Sequence, residues 1–260
     1  MMSSREAQKG VKLMSEFRKV IHKPGEMIDF ETVFEENPYL RTGVPTKKGK
    51  TERLDYTTSV YEDGKTYNKY LYVYLPYCYD PDDKSRKYNV LYFQHGHTCD
   101  PQMFGIGGNK NMIDMLFDSG EIDPCIMVFT TYYMDPEGDY KMRVTDGHVP
   151  AGDGYYDKIK ANFYIEFIED IIPLVEMKYN TYLTDPSRAG IKATRDHRAM
   201  SGYSRGCNTT WNFFNWNFEY FRWYAPMSAQ IRAGLGRDAD PDEATVTKYL
   251  QEPMKKYPVF

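Results

Sequence analysis

The pentapeptide Gly202-Tyr203-Ser204-Arg205-Gly206 is the feature that most restricts how this chain of 260 residues can fold. Three fixed residues occur often by chance, so the inference depends on context: a β-compatible run, HRAM, precedes the motif, and helix-compatible residues follow it. A serine at such a strand-to-helix turn is lifted out of the sheet edge on a strained backbone. The flanking glycines are needed where neighbouring chain packs too closely for a Cβ atom. The pattern predicts that Ser204 is a nucleophile.

Outside this motif, the spacing of apolar residues along the chain changes repeatedly between a strand-like and a helical period. Two alternating runs predict an antiparallel hairpin, and later, nearly continuous apolar runs are typical of strands buried on both faces. Pro173 should kink or divide the helix in which it lies. The order predicts an α/β class, with a mostly parallel central sheet, helices on both faces and N-terminal antiparallel strands. The strands are expected at 53–61, 69–76, 88–95, 123–131, 197–204 and 221–229, and the helices at 111–120, at 162–179 and after Ser204.

The first 50 residues differ from the rest in composition. They combine low apolar density with several chain-breaking prolines and glycines, which favours an N-terminal extension that wraps the domain or stays partly mobile. Residues 51–260 are then the folded domain. The last six residues, KKYPVF at 255–260, are interpreted as the opening of a further buried strand.

Composition excludes several classes of function. A net charge of −4 gives no basic face for nucleic acid or anionic lipid, and no apolar run approaches the ~20 residues of a membrane helix. The N-terminus has no apolar core of a signal peptide. The 24 Tyr, 14 Phe and 3 Trp are expected mainly in the core rather than as sugar platforms. The cysteines, which show no metal-ligand spacing, are expected as buried thiols: Cys78, Cys99, Cys125 and Cys207.

A second candidate element, His95-Gly96-His97, ends the strand-like run LYFQ. In a fold of this kind the loop after that strand supplies one oxyanion-hole N–H, and the residue after the nucleophile supplies the other. The backbone amides of His97 and Arg205 are therefore the predicted donors. A metal role is disfavoured, because histidines two apart on a strand point to opposite faces and no third ligand is evident.

Three blocks of sequence make a resemblance specific: YLYVYLPYCYDPDDKSRKYNVLYFQHG, FYIEFIEDIIPLVEMKYNTY and HRAMSGYSRGCNTTWNF. They resemble corresponding blocks of the feruloyl esterases of carbohydrate esterase family 1, modules often attached to xylanases. The likeness runs from about 66 to 260, with block order and spacing preserved.

The resemblance implies an α/β-hydrolase esterase domain over 51–260 and two-step acyl transfer without cofactor or metal. The implied reaction releases ferulic or related hydroxycinnamic acids from feruloylated arabinoxylan or oligosaccharides. Ser204 matches the family's nucleophile, and His97 and Arg205 match its oxyanion positions. The chain departs from the family at the turn, where Arg205 and Cys207 replace a small or thioether residue and a glycine.

The resemblance also implies where the rest of the catalytic triad should be. The acid and then the histidine should follow the nucleophile in chain order, the acid after a strand like the one beginning at YPVF. Both are therefore expected beyond Phe260, which makes the chain the greater part of an esterase and nearly inactive as it stands. The acids at 238, 240 and 242 do not match the family position. All histidines precede Ser204: His22, His95, His97, His148 and His197.

The remaining assignments concern substrate and location. His148, in a Tyr-rich loop at 132–157 expected to shape the acyl or sugar pocket, and Tyr203 are candidate substrate contacts. His197, seven residues before Ser204 at the far end of its strand, is a poor base. A polymeric substrate implies a secreted or cell-surface protein, and the sequence predicts no oligomeric state.

Alternatives to the feruloyl esterase interpretation stay open. HGHTCD is similar to a stretch of S-formylglutathione hydrolases, and acetyl-xylan esterase activity is another enzymatic possibility. A non-catalytic carbohydrate-binding relative, which keeps the fold without the triad, is a third.

Overall fold

The structure, a computed structural model, describes residues 43–257 except 98, 106–107, 121, 137–154, 230 and 232–239. His22 and His148 therefore lie outside the described residues, as does almost all of the predicted N-terminal extension. The strands in the described part are β1 (Lys50–Thr58), β2 (Tyr67–Leu75), β3 (Val90–Gln94), β4 (Ile126–Thr130), β5 (Arg198–Tyr203) and β6 (Trp223–Met227). The helices there are α1 (Gln102–Gly105), α2 (Gly108–Asp118), α3 (Tyr155–Glu166), α4 (Ile172–Glu176), α5 (Arg188–Ala193), α6 (Arg205–Trp216) and α7 (Glu243–Lys256).

The strands form one mixed sheet in the order β1-β2-β4-β3-β5-β6. β1 and β2 are the predicted antiparallel hairpin, and β2 joins β4, again antiparallel. The remaining pairings, β4 with β3, β3 with β5 and β5 with β6, are parallel. The predicted fold class and its N-terminal antiparallel strands are confirmed. Since carboxyl ends of parallel strands share one edge, the loops after β3, β4 and β5 lie side by side there.

Helices cover both faces of the sheet, as predicted. On one face α2 packs Ile113 and Phe117 against strand residues such as Tyr74 and Phe129. On the other, α3, α4 and α6 enclose a larger cluster with Phe167 and Phe213 near its centre. Many rings in this cluster meet edge to face, a favourable arrangement for aromatic pairs. Most aromatic residues in the described core are therefore packing residues, which the composition predicted.

The long helix predicted at 162–179 exists but is divided. α3 ends at Glu166, a π-helical turn spans Phe167–Ile171, and α4 begins at Ile172. Pro173 lies in the first turn of α4, directly after the π-helical turn, where the hydrogen-bond pattern of the helix changes. The prediction that Pro173 would kink or divide the helix is confirmed.

Two local predictions need correction. The helix predicted at 111–120 begins earlier, at Gly108, and Met112 is exposed rather than on its buried face; Gly120 ends it with a positive φ of 73°. The strand expected at 255–260 is wrong for its first residues, because α7 continues to Lys256 and Tyr257 is its C-cap. Residues 258–260 lie outside the described residues. Among the described residues, no helix is long and apolar enough to cross a membrane.

A buried ion pair anchors the start of β5. The Arg198 guanidinium donates to both carboxylate oxygens of Glu176, at 2.6 and 2.8 Å, with both side chains almost fully buried. Arg198 also donates to the carbonyl oxygens of Ile191 and Tyr220, and Tyr92 donates to Glu176. Burial alone would lower the pKa of Arg198, but the hydrogen bonds and charge of Glu176 raise it. The network ties β5 to α4 and α5 and so fixes the strand that ends at Ser204.

Arg198→Met is expected to lower the free energy of unfolding by about 3–5 kcal/mol, because it leaves the Glu176 carboxylate buried without its counter-charge. Urea-induced unfolding measures the change. The matched control is the double variant Arg198→Met/Glu176→Met, which removes both charges and should recover most of the loss. A single variant within about 1 kcal/mol of the wild type would contradict a structural role for this pair.

Candidate active site

Ser204 lies at the junction between β5 and α6. Its backbone has φ 56° and ψ −112°, a conformation that L-residues rarely adopt, and it is the N-cap residue of α6. Strain of this kind persists only where the surroundings over-determine it. Here the Ser204 N–H donates to the Met227 carbonyl oxygen at 2.9 Å, and the next turn of α6 donates back to the Ser204 carbonyl. The side chain is partly exposed, so the hydroxyl stands at the carboxyl edge of the sheet.

The two glycines of the motif are required by close backbone contacts. A Cβ atom on Gly202 would lie 2.9 Å from the Gly206 Cα and nearer still to the Gly206 carbonyl. A Cβ on Gly206 would lie 2.8 Å from the His95 carbonyl oxygen and nearer still to that of Gln94. Both positions are tighter than real Cβ contacts allow, which confirms the steric reason given for the motif. The first turn of α6 therefore rests directly on the end of β3.

The loop after β3 is next to the nucleophile. β3 pairs with β5 so that Gln94 is opposite Gly202, and both strands end level with each other. A Cβ on Gly96 would be 3.3 Å from the Tyr203 ring and 3.6 Å from the Ser204 Cβ. The segment His95-Gly96-His97 (hereafter the oxyanion loop, after its predicted role) is thus close to Ser204, as its position in the sequence predicted.

Arg205 and Cys207 occupy the positions where the chain departs from the family pattern. Arg205 is the first residue of α6, and N–H groups in the first turn of a helix point out of its N-terminus toward the positive end of the helix dipole. Cys207 is 1% exposed and its thiol contacts the Ala229 carbonyl oxygen at 3.2 Å. Burial raises the pKa of the Cys207 thiol. The departure therefore places a charged side chain at the rim of the site and a protonated, inert thiol beneath it.

Two described histidines are engaged away from the Ser204 hydroxyl. The His95 ring is buried and contacts the Gly96 carbonyl oxygen and the Thr131 hydroxyl. His197 precedes β5 at the opposite end of the strand, where it stacks on Tyr182 and contacts Asn89. The prediction that His197 is a poor base is confirmed. Among the residues that the structure describes, no hydrogen bond joins the Ser204 hydroxyl to an imidazole or a carboxylate.

Among the acids at 238, 240 and 242, the structure gives Asp242 a capping role. Asp242 is the N-cap of α7 and accepts from the Thr245 N–H at 2.8 Å. Hydrogen bonds from Thr245 hold the pKa of that carboxyl below its usual value. Asp238 lies outside the described residues. Within the described part of the chain, no group of three His, Cys, Asp or Glu side chains is arranged to hold a metal ion.

Tyr203, the residue before Ser204, is 40% exposed, and its role as a substrate contact stays a prediction. The Tyr-rich loop at 132–157 is expected to shape the substrate pocket, but its first two residues instead hydrogen-bond to the loop after β3. Tyr132 and Tyr133, directly after β4, are buried under the oxyanion loop and donate to its carbonyl oxygens. Sequence reasoning missed this role, although the two residues follow a strand predicted to end at the same sheet edge. The rest of that loop, 137–154 with His148, lies outside the described residues.

Comparisons with known proteins agree with this geometry. The family model named Esterase matches residues 68–209. Endo-1,4-beta-xylanase Y of Acetivibrio thermocellus is 34% identical over 168 residues, which are 64% of this chain and 13% of the xylanase.

Solved structures give the same picture. A serine-to-alanine mutant of the feruloyl esterase module from Clostridium thermocellum, complexed with sinapinate, superimposes with a TM-score of 0.63 at 27% identity. The match covers 84% of this chain and 64% of that module. A CE1 ferulic acid esterase from the anaerobic fungus Anaeromyces mucronatus, 18% identical, has a TM-score of 0.52 over 83% of this chain and 81% of its own. The chain thus spans a small part of the curated relative and about two thirds of the solved module.

Proposed function

The chain belongs to the Esterase family and has the α/β-hydrolase fold, and from that premise we propose that it is a serine esterase acting on hydroxycinnamoyl esters. The observation that carries the proposal is Ser204, held at positive φ on a strand-to-helix turn whose glycines admit no Cβ. This is the geometry in which a serine hydroxyl can attack an ester carbonyl.

The proposed chemistry is two-step acyl transfer. The Ser204 oxygen adds to the ester carbonyl carbon while a base takes its proton, and the backbone N–H groups of His97 and Arg205 donate to the oxyanion. The carbon–oxygen bond to the alcohol then breaks, the alcohol leaves with a proton, and an acyl-enzyme remains. Water repeats the sequence and releases the acid. His95 and His197 are occupied elsewhere, so neither is assigned as the base.

The proposed substrate class follows from the relatives. The matched module binds sinapinate, a hydroxycinnamate, and the matched curated protein is a xylanase. We therefore assign this chain to release of ferulic or related acids from feruloylated arabinoxylan or its oligosaccharides, without metal or cofactor. Tyr203 and His148 are the proposed substrate contacts. A polymeric substrate of this kind implies that the protein acts outside the cell.

The domain boundary is also a proposal. Residues 51–260 would form the esterase domain and residues 1–50 an N-terminal extension, whose described end contacts the domain. Its last residues support this arrangement, because Thr46 donates to Asp118 and Gly49 to Asp114, both on α2.

Hydrolysis of four compounds, by a protein that includes the acid and the histidine of the triad, tests the proposal: methyl ferulate, methyl sinapate, S-formylglutathione and acetylated xylan. We expect kcat/KM on the two hydroxycinnamates to exceed that on the others by about 100-fold, a margin that one well-shaped pocket can supply. Preference for S-formylglutathione or acetylated xylan would assign one of the other esterase activities. Binding to xylan without hydrolysis of any ester would favour a non-catalytic carbohydrate-binding protein and contradict the proposed reaction.

A further inference from the structure

Two adjacent tyrosines hold the backbone of the oxyanion loop. The Tyr132 hydroxyl donates to the Gly96 carbonyl oxygen at 3.1 Å, and the Tyr133 hydroxyl donates to the next carbonyl oxygen, that of His97. Tyr132 and Tyr133 are 2% and 1% exposed. Buried carbonyl groups outside regular structure need partners, and here consecutive peptide groups receive them from consecutive side chains.

The His95 ring completes this arrangement and its tautomer can be assigned. Its Nδ1 is 2.7 Å from the Gly96 carbonyl oxygen, which can only accept, so Nδ1 carries a proton. Its Nε2 is 2.8 Å from the Thr131 hydroxyl, which also accepts from the Tyr133 N–H at 3.2 Å. With a neutral ring, Nδ1 donates to the Gly96 carbonyl oxygen and Nε2 accepts from the Thr131 hydroxyl, so both ring nitrogens and the hydroxyl have hydrogen-bond partners. The ring also packs against Tyr132 and Tyr133, with centroids 4.7 and 5.3 Å away.

The peptide that these groups hold is the one that carries the His97 N–H. A trans peptide is planar and its C=O and N–H point in opposite directions. The Gly96 carbonyl oxygen also accepts from the Cys99 N–H at 3.3 Å. When Tyr132, His95 and this N–H hold the Gly96 carbonyl on one side, the His97 N–H is fixed on the other. Tyr133 holds the following peptide in the same way, through the His97 carbonyl oxygen. The Gly96–His97 peptide plane therefore cannot rotate together with the next one. The loop reaches Ser204 through Gly96 itself.

We propose that Tyr132 and Tyr133 are positioning residues for the oxyanion hole: their hydroxyls hold the Gly96 and His97 carbonyls so that the His97 N–H stays directed at the developing oxyanion. This inference rests on the proposed function, since the oxyanion exists only in the acyl-transfer reaction. Preorganised donors are effective because they do not reorient when charge develops. The tyrosines act through the backbone and touch no reacting atom.

Tyr132→Phe, Tyr133→Phe and the double variant test the inference, with Tyr88→Phe as the matched control. Tyr88 is equally buried and donates to a backbone carbonyl, that of Cys78, and it precedes β3, whereas the site follows the other end of that strand. On methyl ferulate we expect kcat to fall about 10-fold in each single variant and about 100-fold in the double, part of the loss seen when a donor is deleted outright. KM should stay within about twofold, and Tyr88→Phe should keep wild-type kcat.

Amide hydrogen exchange over residues 95–99 gives a readout that does not need turnover. We expect exchange there to accelerate in the double variant and not in Tyr88→Phe, with similar Tm for both. If the wild type hydrolyses methyl ferulate and the double variant has the same kcat, the inference is overturned and the proposed function stands. Unchanged loop exchange would overturn it as well. A wild-type protein without esterase activity would contradict the proposed function itself, and the exchange data would still show whether the tyrosines hold the loop.

Discussion

In a protein that carries the acid and the histidine of the triad, replacing Ser204 with alanine is expected to lower kcat on methyl ferulate by about 10⁴- to 10⁶-fold, because no acyl-enzyme can form without the hydroxyl. What remains comes from the oxyanion donors and substrate binding, which still act on direct attack by water. The strained backbone at Ser204 does not depend on the hydroxyl, and α6 uses no side-chain cap hydrogen bond from it. Steady-state kinetics measure the loss, and thermal unfolding should show an unchanged Tm.

Ser201→Ala is the matched control for this prediction. Ser201 lies three residues earlier on β5 and its hydroxyl donates to the Ala225 carbonyl oxygen at 2.7 Å, so its loss should cost about 1 kcal/mol of stability and little activity. If Ser204→Ala keeps more than a tenth of the wild-type rate, Ser204 is not the nucleophile. The role proposed for the turn would then be wrong.

Arg205→Pro is expected to lower kcat by about 100- to 1,000-fold, the range for losing one oxyanion donor. Proline removes the backbone N–H, and its fixed φ suits the first position of a helix. The variant therefore deletes the proposed donor while α6 should persist. Circular dichroism checks the fold, and kinetics on methyl ferulate report the loss.

Arg205→Ala separates the backbone from the side chain. It keeps the N–H and removes the guanidinium, so its loss should be at least about tenfold smaller than that of Arg205→Pro. Equal losses in the two variants would indicate that the guanidinium, rather than the amide, carries the role of this position.

The regular part of the fold was predictable because periodicity reports burial directly. The nearly continuous apolar runs at 88–95 and 123–131 favour strands covered on both faces, and they contain β3 and β4. Strand order was not predictable: β2 joins β4 rather than β3, its successor in the chain. Periodicity says which residues are buried and says nothing of which strand they lie beside. The strand expected at 255–260 was wrong because a short apolar run gives no period with which to distinguish it from the end of a helix.

The site was predictable where local sequence determines geometry. The glycines around Ser204 signal a close approach that the structure shows, since Gly206 rests on the end of β3. The contacts of Tyr132 and Tyr133 depend on hydrogen bonds between two loops 36 residues apart in the chain. No spacing rule encodes such contacts, and the two tyrosines were predicted to line the pocket only as members of the Tyr-rich loop at 132–157. The assignments of Ser204, His97 and Arg205 remain predictions that the variants above decide.

The contact of Gly206 with the main chain of Gln94 and His95 also determines which residues near the site can change in evolution. Since main-chain atoms make this contact, sequence drift can alter the side chains at 203 and 205 without changing the distance between the two loops that would hold the oxyanion. Those two positions face outward from the turn, one exposed and one partly so. If these side chains contact substrate, substitutions at 203 and 205 would change the acyl or sugar preference without moving Ser204 or the loop after β3. Gly202 and Gly206, by contrast, cannot be replaced without moving the backbone, because a Cβ atom at either position would overlap main-chain atoms. The pentapeptide therefore combines two positions with a fixed residue type and two whose side chains can vary.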